Sequence, residues 1–351
     1  MNPSFWKDKR VFLTGHTGFK GAWASLLLHH FGAKVFGYAK PPESNPALFD
    51  MIGTEHLTQS TLADLTDRDA LARAIDAAQP DFVLHMAAQP LVRKSYREPV
   101  ETFASNVMGT VHLLNTLRDC PSLKACLIIT SDKVYENSED GRAYVESDRL
   151  GGHDPYAASK AATEIAAKSF RLSYFAEKEI PLLTARGGNV IGGGDYSEDR
   201  LVPDIVRAET NNEPLVLRNP NATRPWQHVL DCLSGYFAYI ERADMNIAPS
   251  MNFGPHDPAD VLTVAEVQAA FASAIGKDQQ WNLSNSIEPH EMATLAIDSS
   301  AAFDALGWQG KLSSLDAVHL TAEWYGELQH GASPIDLTNQ QIASYLKAHY
   351  A

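Results

Sequence analysis

Cysteine is scarce in this chain, long apolar runs are absent, and basic residues are outnumbered by acidic ones. Only three cysteines occur in 351 residues, Cys120, Cys126 and Cys232, and their spacing suits neither a metal site nor a disulfide framework. Cys126 lies in an apolar run and reads as a small buried thiol, which fits a reducing cytoplasm. No stretch approaches the ~20 apolar residues that cross a bilayer. Met1 to Lys9 mixes Asn, Pro, Lys and Asp and does not read as a signal peptide. Lysine and arginine number 29 against 43 acids, a net charge of −14. That balance excludes a nucleic-acid binder, which needs a basic face to displace counterions from phosphate. An anionic small-molecule partner must then meet a local cluster of Arg or Lys.

What is present is an ordinary enzyme composition, 44% hydrophobic and 21% charged, long enough for one large or two moderate domains. Arg10 to Thr14 reads as a strand, Ala22 to Phe31 as an apolar helix, and Lys34 to Ala39 as a second strand. Pro41, Pro42 and Pro46 mark an irregular stretch. Thr66 to Ala78 is amphipathic and helical. Asp81 to Met86 and Ala125 to Thr130 fit buried parallel strands, with a long helix predicted over Glu98 to Leu117 between them. A helix over Tyr156 to Phe175 precedes another strand from Pro181 to Ala185. This alternation predicts an α/β fold with a Rossmann-type, doubly wound parallel sheet. It weakens beyond about Val190. Residues 1–188 therefore read as a dinucleotide-binding domain and 189–351 as a smaller, mainly C-terminal substrate lobe, with room for interleaved segments.

Between the first strand and first helix stands Gly15-His16-Thr17-Gly18-Phe19-Lys20-Gly21. Glycine at 15, 18 and 21 permits a tight turn and lets a pyrophosphate approach backbone amides at the positive end of the helix. Thr17, Phe19 and Lys20 fall in the same cradle. The second strand ends Tyr38-Ala39-Lys40, without the acidic residue that usually holds the adenosine ribose of NAD, so this position does not exclude NADP. Asp64-Leu65 is a candidate contact to the adenine, with a solvated loop acid as the plain alternative.

Tyr156-Ala157-Ala158-Ser159-Lys160 contains Tyr-x-x-x-Lys. Residues four apart share a helix face, so the ammonium can sit beneath the phenol. A free tyrosine titrates near ~10 and is a poor base at neutral pH. A neighbouring cation favours the phenolate, which can then exchange a proton with a sugar hydroxyl.

These two motifs, their order and their separation resemble the extended short-chain dehydrogenase/reductases. His85-Met86-Ala87-Ala88-Gln89 is similar to that family's fourth-strand motif beside the cofactor, and Ser105-Asn106 to its following helix. The resemblance implies NAD as cofactor, with Ala87, Ala88, Gln89, Asn106 and Thr130 near it. It also implies a homodimer paired through the helices 98–117 and 156–175.

Thr130-Ser131-Asp132-Lys133-Val134-Tyr135 ends the fifth predicted strand, where open α/β sheets carry their chemistry. Ser131 suits a hydrogen bond to the hydroxyl that Tyr156 deprotonates. In related epimerases the next position is small or hydroxylated, whereas 4,6-dehydratases carry an acid that protonates a departing C6 hydroxyl; here it is Asp132. Many dehydratases then have Glu as the C5 base, but this chain has Lys133. Ser-Asp-Lys followed by Val-Tyr-Glu-Asn resembles the CDP-glucose 4,6-dehydratases, as do Gln89 to Tyr96, Gly151 to Tyr156, Gly187 to Asp195 and Arg224 to Val229. Gly188, Tyr144 and Tyr196 depart from that pattern.

The resemblance implies a nucleotide-sugar substrate, CDP-glucose by preference, and an internal NAD redox cycle in deoxysugar biosynthesis of the O-antigen type. Arg93 and Asn189 are its candidate sugar or diphosphate contacts, and Asn252 lies at a family position near the nucleotide. Arg224 suits the diphosphate through its planar fork. Arg200 is a weaker candidate, as are Arg207 and Arg218, each readable as a solvated charge. His290-Glu291 also matches the subgroup, without an assignable role. Lys133 could act as a base only with a pKa far below ~10.4; positioning or a water relay are equal alternatives. An epimerase or 4-reductase on the same scaffold is the other enzyme reading, and a non-catalytic dinucleotide-binding regulator a reading of a different class.

Overall fold

In a computed structural model, the structure describes residues 1–255, 257, 260–277, 280–285, 292 and 294–350. Seven strands make one sheet: β1 (Arg10–Thr14), β2 (Lys34–Ala39), β3 (Gln59–Leu62), β4 (Phe82–His85), β5 (Ala125–Ile129), β6 (Leu182–Gly187) and β7 (Ser250–Phe253). They lie in the order β7-β6-β5-β4-β1-β2-β3, and every neighbouring pair is parallel. The chain runs outward from β1 to β3, then returns to β4 and runs the other way. The reversal between β1 and β4 opens a crevice at the carboxyl ends of the strands.

Alternation along the central strands divides their side chains between two cores. Val11, Leu13, Leu84 and Leu127 face one side with Trp23 and Phe237, while Phe12, Val83, Cys126 and Ile128 face the other with Leu113 and Leu114. Helices cover both faces, so β5, Ala-Cys-Leu-Ile-Ile, is buried at every position and reads as an unbroken apolar run.

The helix that follows β1, α1 (Phe19–His30), begins at Phe19 rather than Ala22, with Gly18 as its N-cap. The helix over 66–78 starts at Arg68, because the Asp67 carboxylate accepts from Ala70 N at 3.0 Å and caps it. The long helix expected over 98–117 is three segments in continuous succession: Pro99–Phe103, a π-turn at Ala104–Met108, and Gly109–Leu117. The helix that carries Tyr156 and Lys160, α2 (Pro155–Phe170), likewise ends in a π-turn, Arg171–Phe175.

Two strands had no counterpart in the sequence reading. All four residues of β3, Gln-Ser-Thr-Leu, are exposed, so there is no burial pattern to read. β7 lies beyond the region of clear alternation, yet it pairs with β6 from Ser250↔Thr184 to Phe253↔Gly187. The buried helix Val229–Glu241 precedes it. The sheet is thus finished by a segment from beyond residue 189. Short strand pairs, Thr223–Arg224 with Leu262–Thr263 and Leu215–Leu217 with Trp281–Leu283, belong to the later part of the chain. Among the described residues no helix is long and apolar enough to cross a membrane.

Candidate active site

A cleft of about 1570 Å3 runs over the carboxyl ends of the strands and is lined by residues from both parts of the chain. One wall is the glycine turn. Gly15 has φ 79°, and a Cβ there would lie 2.7 Å from Ala87 N; a Cβ at Gly21 would lie 2.1 Å from Gly15 O. Only glycine permits this closeness. Gly18 differs: its Cβ position meets nothing nearer than Gly15 O at 3.5 Å, and no side chain caps α1 there. The bare helix end faces the cleft, a fitting seat for a pyrophosphate. Thr17 Oγ1 is spent on Lys40 O at 2.8 Å, and Phe19 and Lys20 also line the wall.

Next to the turn, Asp64, Leu65, Ala87 and Ala88 line the cleft. Asp64 accepts from Thr66 N and Thr66 Oγ1, both at 2.8 Å, and pairs with Lys40 at 3.5 Å. Burial pushes its carboxyl up, but the Thr66 hydrogen bonds and the Lys40 charge overcome this and hold it below the usual range. Gln89 and Asn106 are not in the lining. Gln89 is bound to Leu91 and Thr102, while Asn106 exchanges hydrogen bonds with the Gln89 backbone and donates to Ser159 Oγ at 2.8 Å. Their amides brace the wall from behind rather than face a ligand.

Thr130, Ser131, Asp132, Lys133, Tyr156 and Lys160 gather at the floor. Asp132 is 1% exposed. Its Oδ1 accepts from Ser131 Oγ at 3.0 Å and from Lys133 Nζ at 3.4 Å, while Oδ2 makes no hydrogen bond among the described residues. Lys133 Nζ also donates to Asn189 Oδ1 at 3.2 Å. The expected activation of Tyr156 by Lys160 is not what the protein alone supplies. Burial pushes the phenol up to about 12; a hydrogen bond with Ser131 and the Arg200 charge oppose this, and Asp132 and Asp154 add to it. Lys160 donates to Ile129 O at 3.1 Å and is itself pulled down to about 7, first by burial and then by Lys20, against the pull of Glu164.

On the far side, Arg93, Asn189, Arg200 and Arg224 line the cleft, and Arg207 and Arg218 line it with them. Arg224 is buried and donates to Thr223 O at 2.8 Å. Arg200 meets Asp195 Oδ2 at 3.2 Å. Sequence reasoning missed Asp199. Its carboxylate receives Arg93 at 3.1 Å, Arg218 at 3.2 Å and Arg97 at 3.5 Å. Asn252 is not in the lining: fully buried, it accepts from Tyr135 Oη at 2.6 Å and donates to Tyr144 O and Asp298 O. Of the residues that depart from the subgroup pattern, Gly188 and Tyr196 line the cleft, whereas Tyr144 is buried against Tyr135. His290-Glu291 lies outside the described residues, among which no cluster of three metal-ligating side chains occurs.

The arrangement offers a phenol, a hydroxyl and a half-engaged carboxyl together, beside a dinucleotide-sized cradle and opposite a bank of arginines. The chain as a whole is similar to known proteins. The family model described as GDP-mannose 4,6 dehydratase matches residues 12–321. A CDP-glucose 4,6-dehydratase of Salmonella typhimurium is 41% identical over 356 residues, covering 99% of each chain. A dTDP-glucose 4,6-dehydratase of Xanthomonas campestris is 26% identical over 75% of this chain and 77% of its own. Among solved structures, a UDP-glucuronic acid 4-epimerase from Bacillus cereus, in complex with UDP-glucuronic acid and NAD, superposes with a TM-score of 0.78 at 22% identity. It covers 91% of this chain and 99% of its own, a likeness of fold. With sequence similarity along almost its whole length, this chain belongs to the GDP-mannose 4,6 dehydratase family of Rossmann-fold, nucleotide-sugar-modifying enzymes.

Proposed function

We propose that this chain is an NAD-dependent CDP-glucose 4,6-dehydratase, a hydro-lyase converting CDP-D-glucose to CDP-4-dehydro-6-deoxy-D-glucose and water in deoxysugar biosynthesis of the O-antigen type. The observation that carries the reading is Asp132, a buried carboxyl whose Oδ2 is unengaged beside Ser131 and Tyr156. An epimerase has no water to expel and no use for that acid. The similarity to the Salmonella CDP-glucose enzyme supports the cytidine nucleotide.

The glycine turn fits NAD: the backbone is open at Gly18, α1 presents free amides, and Asp64-Leu65 lies in the same cleft for the adenine end. NAD, when bound, supplies a reversible two-electron acceptor and a positive charge that favours the Tyr156 phenolate. Tyr156 takes the proton from the C4 hydroxyl, which Ser131 orients. The resulting 4-ketone acidifies the C5 hydrogen. That hydrogen leaves as a proton to water in the cleft while Asp132 gives its own proton to the C6 hydroxyl, which departs as water; the hydride taken from C4 would then return to C6 and a proton to C5, so that no reductant is consumed. Lys133 donates to both Asp132 Oδ1 and Asn189 Oδ1, contacts that suit a positioning role. Its role is to aim Asp132 and hold the Asn189 loop. Arg224, with Arg93 and Arg200, takes the diphosphate; Asn252, Gln89 and Asn106 are framework.

Residues 1–188 together with β7 carry the cofactor, and most of 189–351 carries the nucleotide sugar. Exposed Val100, Phe103 and Met108 on one helical segment, and Ile165 and Leu172 on its neighbour, form an apolar face that a second copy of the chain covers. The enzyme acts in the cytoplasm, where its three buried thiols stay reduced.

The test is incubation with NAD and CDP-, dTDP-, GDP- or UDP-glucose. Loss of one water and the alkali-induced absorbance of a 4-keto sugar are expected with CDP-glucose. An isomer of unchanged mass would mean epimerisation instead.

A further inference from the structure

We infer that Glu164 and Arg186 act as a positioning pair that aims the Ser131–Asp132–Lys133 turn at the sugar, an inference that rests on the dehydratase reading. Glu164 lies one helical turn after Lys160 on α2, on the same face. It is 4% exposed and Arg186 is 3% exposed, and neither lines the cleft.

Four donors converge on the Glu164 carboxylate. Oε1 accepts from Thr130 Oγ1 at 2.6 Å and Arg186 Nε at 3.0 Å; Oε2 accepts from Thr184 Oγ1 at 2.8 Å and Arg186 Nη2 at 3.0 Å. Thr130 directly follows β5, immediately before the acid turn, while Thr184 and Arg186 sit on β6 just before Gly188 and Asn189. The remaining Arg186 nitrogen, Nη1, donates to Tyr135 Oη at 2.9 Å and Glu146 O at 3.1 Å. Tyr135 follows the acid turn and is anchored in its own right by Asn252. One ion pair therefore grips the turn at both ends and ties it to the loop that carries its facing partners.

Taking two charges out of water costs several kcal/mol apiece, and a well-packed apolar pair would serve folding at least as well. Every nitrogen of Arg186 and both oxygens of Glu164 have a partner, across two strands that each lead into the reacting cluster, which points to geometry as the gain. Glu164 also opposes the downward shift of Lys160.

Two variants test this. Tyr135→Phe removes the far anchor together with its Asn252 hydrogen bond and leaves the ion pair intact, so it folds even if Glu164→Gln does not. Kinetics with CDP-glucose are expected to show Tyr135→Phe lowering kcat about tenfold with KM within about twofold. Glu164→Gln should lower kcat further and move the limb of the kcat–pH profile that reports Lys160 to lower pH. The double variant should be no worse than Glu164→Gln, since both act through one turn. Unchanged kcat and a superimposable pH profile in variants that lose only thermal stability would overturn the inference while leaving the dehydratase reading intact. A wild-type protein that removes water from none of the four nucleotide-glucoses would sink both.

Discussion

Asp132 Oδ2 faces the α-carbon of Gly188 so closely that a methyl group added there would lie 3.0 Å from the oxygen, and 3.0 Å from Pro225 Cγ on its other side. The space before the acid is therefore bounded by a residue with no side chain. Gly188→Ala asks its neighbours to give by a few tenths of an ångström and should lower kcat by a factor of about two to five. Gly188→Val fills the space and should cost about 10²-fold, the scale of a 1 Å misplacement. Steady-state kinetics on the two variants reads the gradient; equal rates for Ala and Val would show that this space is not used.

Asp132→Asn keeps the shape of the carboxyl and removes its proton. Water loss should slow by roughly 10²- to 10⁴-fold, the range of a lost general acid, with nucleotide-sugar binding little changed. Mass spectrometry of the product and isothermal titration with CDP-glucose check the two halves.

Lys160 carries a signature measurable without substrate. Its pKa falls from the ordinary 10.5 to about 7, first through burial and then through Lys20. Between these values the unfolded chain binds a proton that the folded protein rejects, so stability rises with pH across the window. Below about 7 both states are protonated and the burial penalty is complete. Lys160→Met removes the term. The variant's Tm should exceed the wild type's at neutral pH, with the gap closing toward pH ~10. Tm curves running parallel over that range would contradict the assignment.

Three guanidiniums meet Asp199, Arg93 and Arg97 from the one helix Val92–Arg97 and Arg218 from a later segment, and its φ of 56° turns its carboxylate among them. Without that shared counter-charge the arginines repel one another and lose their preset arrangement. Asp199→Asn should raise KM for the nucleotide sugar by about fivefold and leave kcat within about twofold. An unchanged KM would separate this cluster from substrate recognition.

Where the chain advertises itself, it does so through local physics. β1 and β2 could be bounded to the residue because buried parallel strands read as apolar runs closed by glycine or polar breaks. Tyr156 and Lys160, four apart on one helix, and Ser131-Asp132 at a strand end were legible for the same reason. β3 was not, since Gln59–Leu62 is stabilised by main-chain pairing to β2 and buries no side chain. Asp199 was equally hidden: its partners stand at positions 93, 97 and 218, and no spacing announces a contact made only by folding. Glu164 was closer to reach, because Lys160 and the next residue on its face are four apart, but its Arg186 partner lies on another strand. Asn252 misled for the opposite reason. A polar residue at a family position can be consumed by framework hydrogen bonds, as its amide is.

The late arrival of β7 has a consequence for biogenesis. Translation must pass residue 253 before the strand that flanks β6 exists, so Leu182–Gly187 emerges with one hydrogen-bonding edge bare. A nascent chain paused within that interval offers its bare edge to neighbouring chains. Truncated products ending between residues 190 and 250 should accordingly depend on chaperones, and slow codons in that stretch should lower the soluble yield.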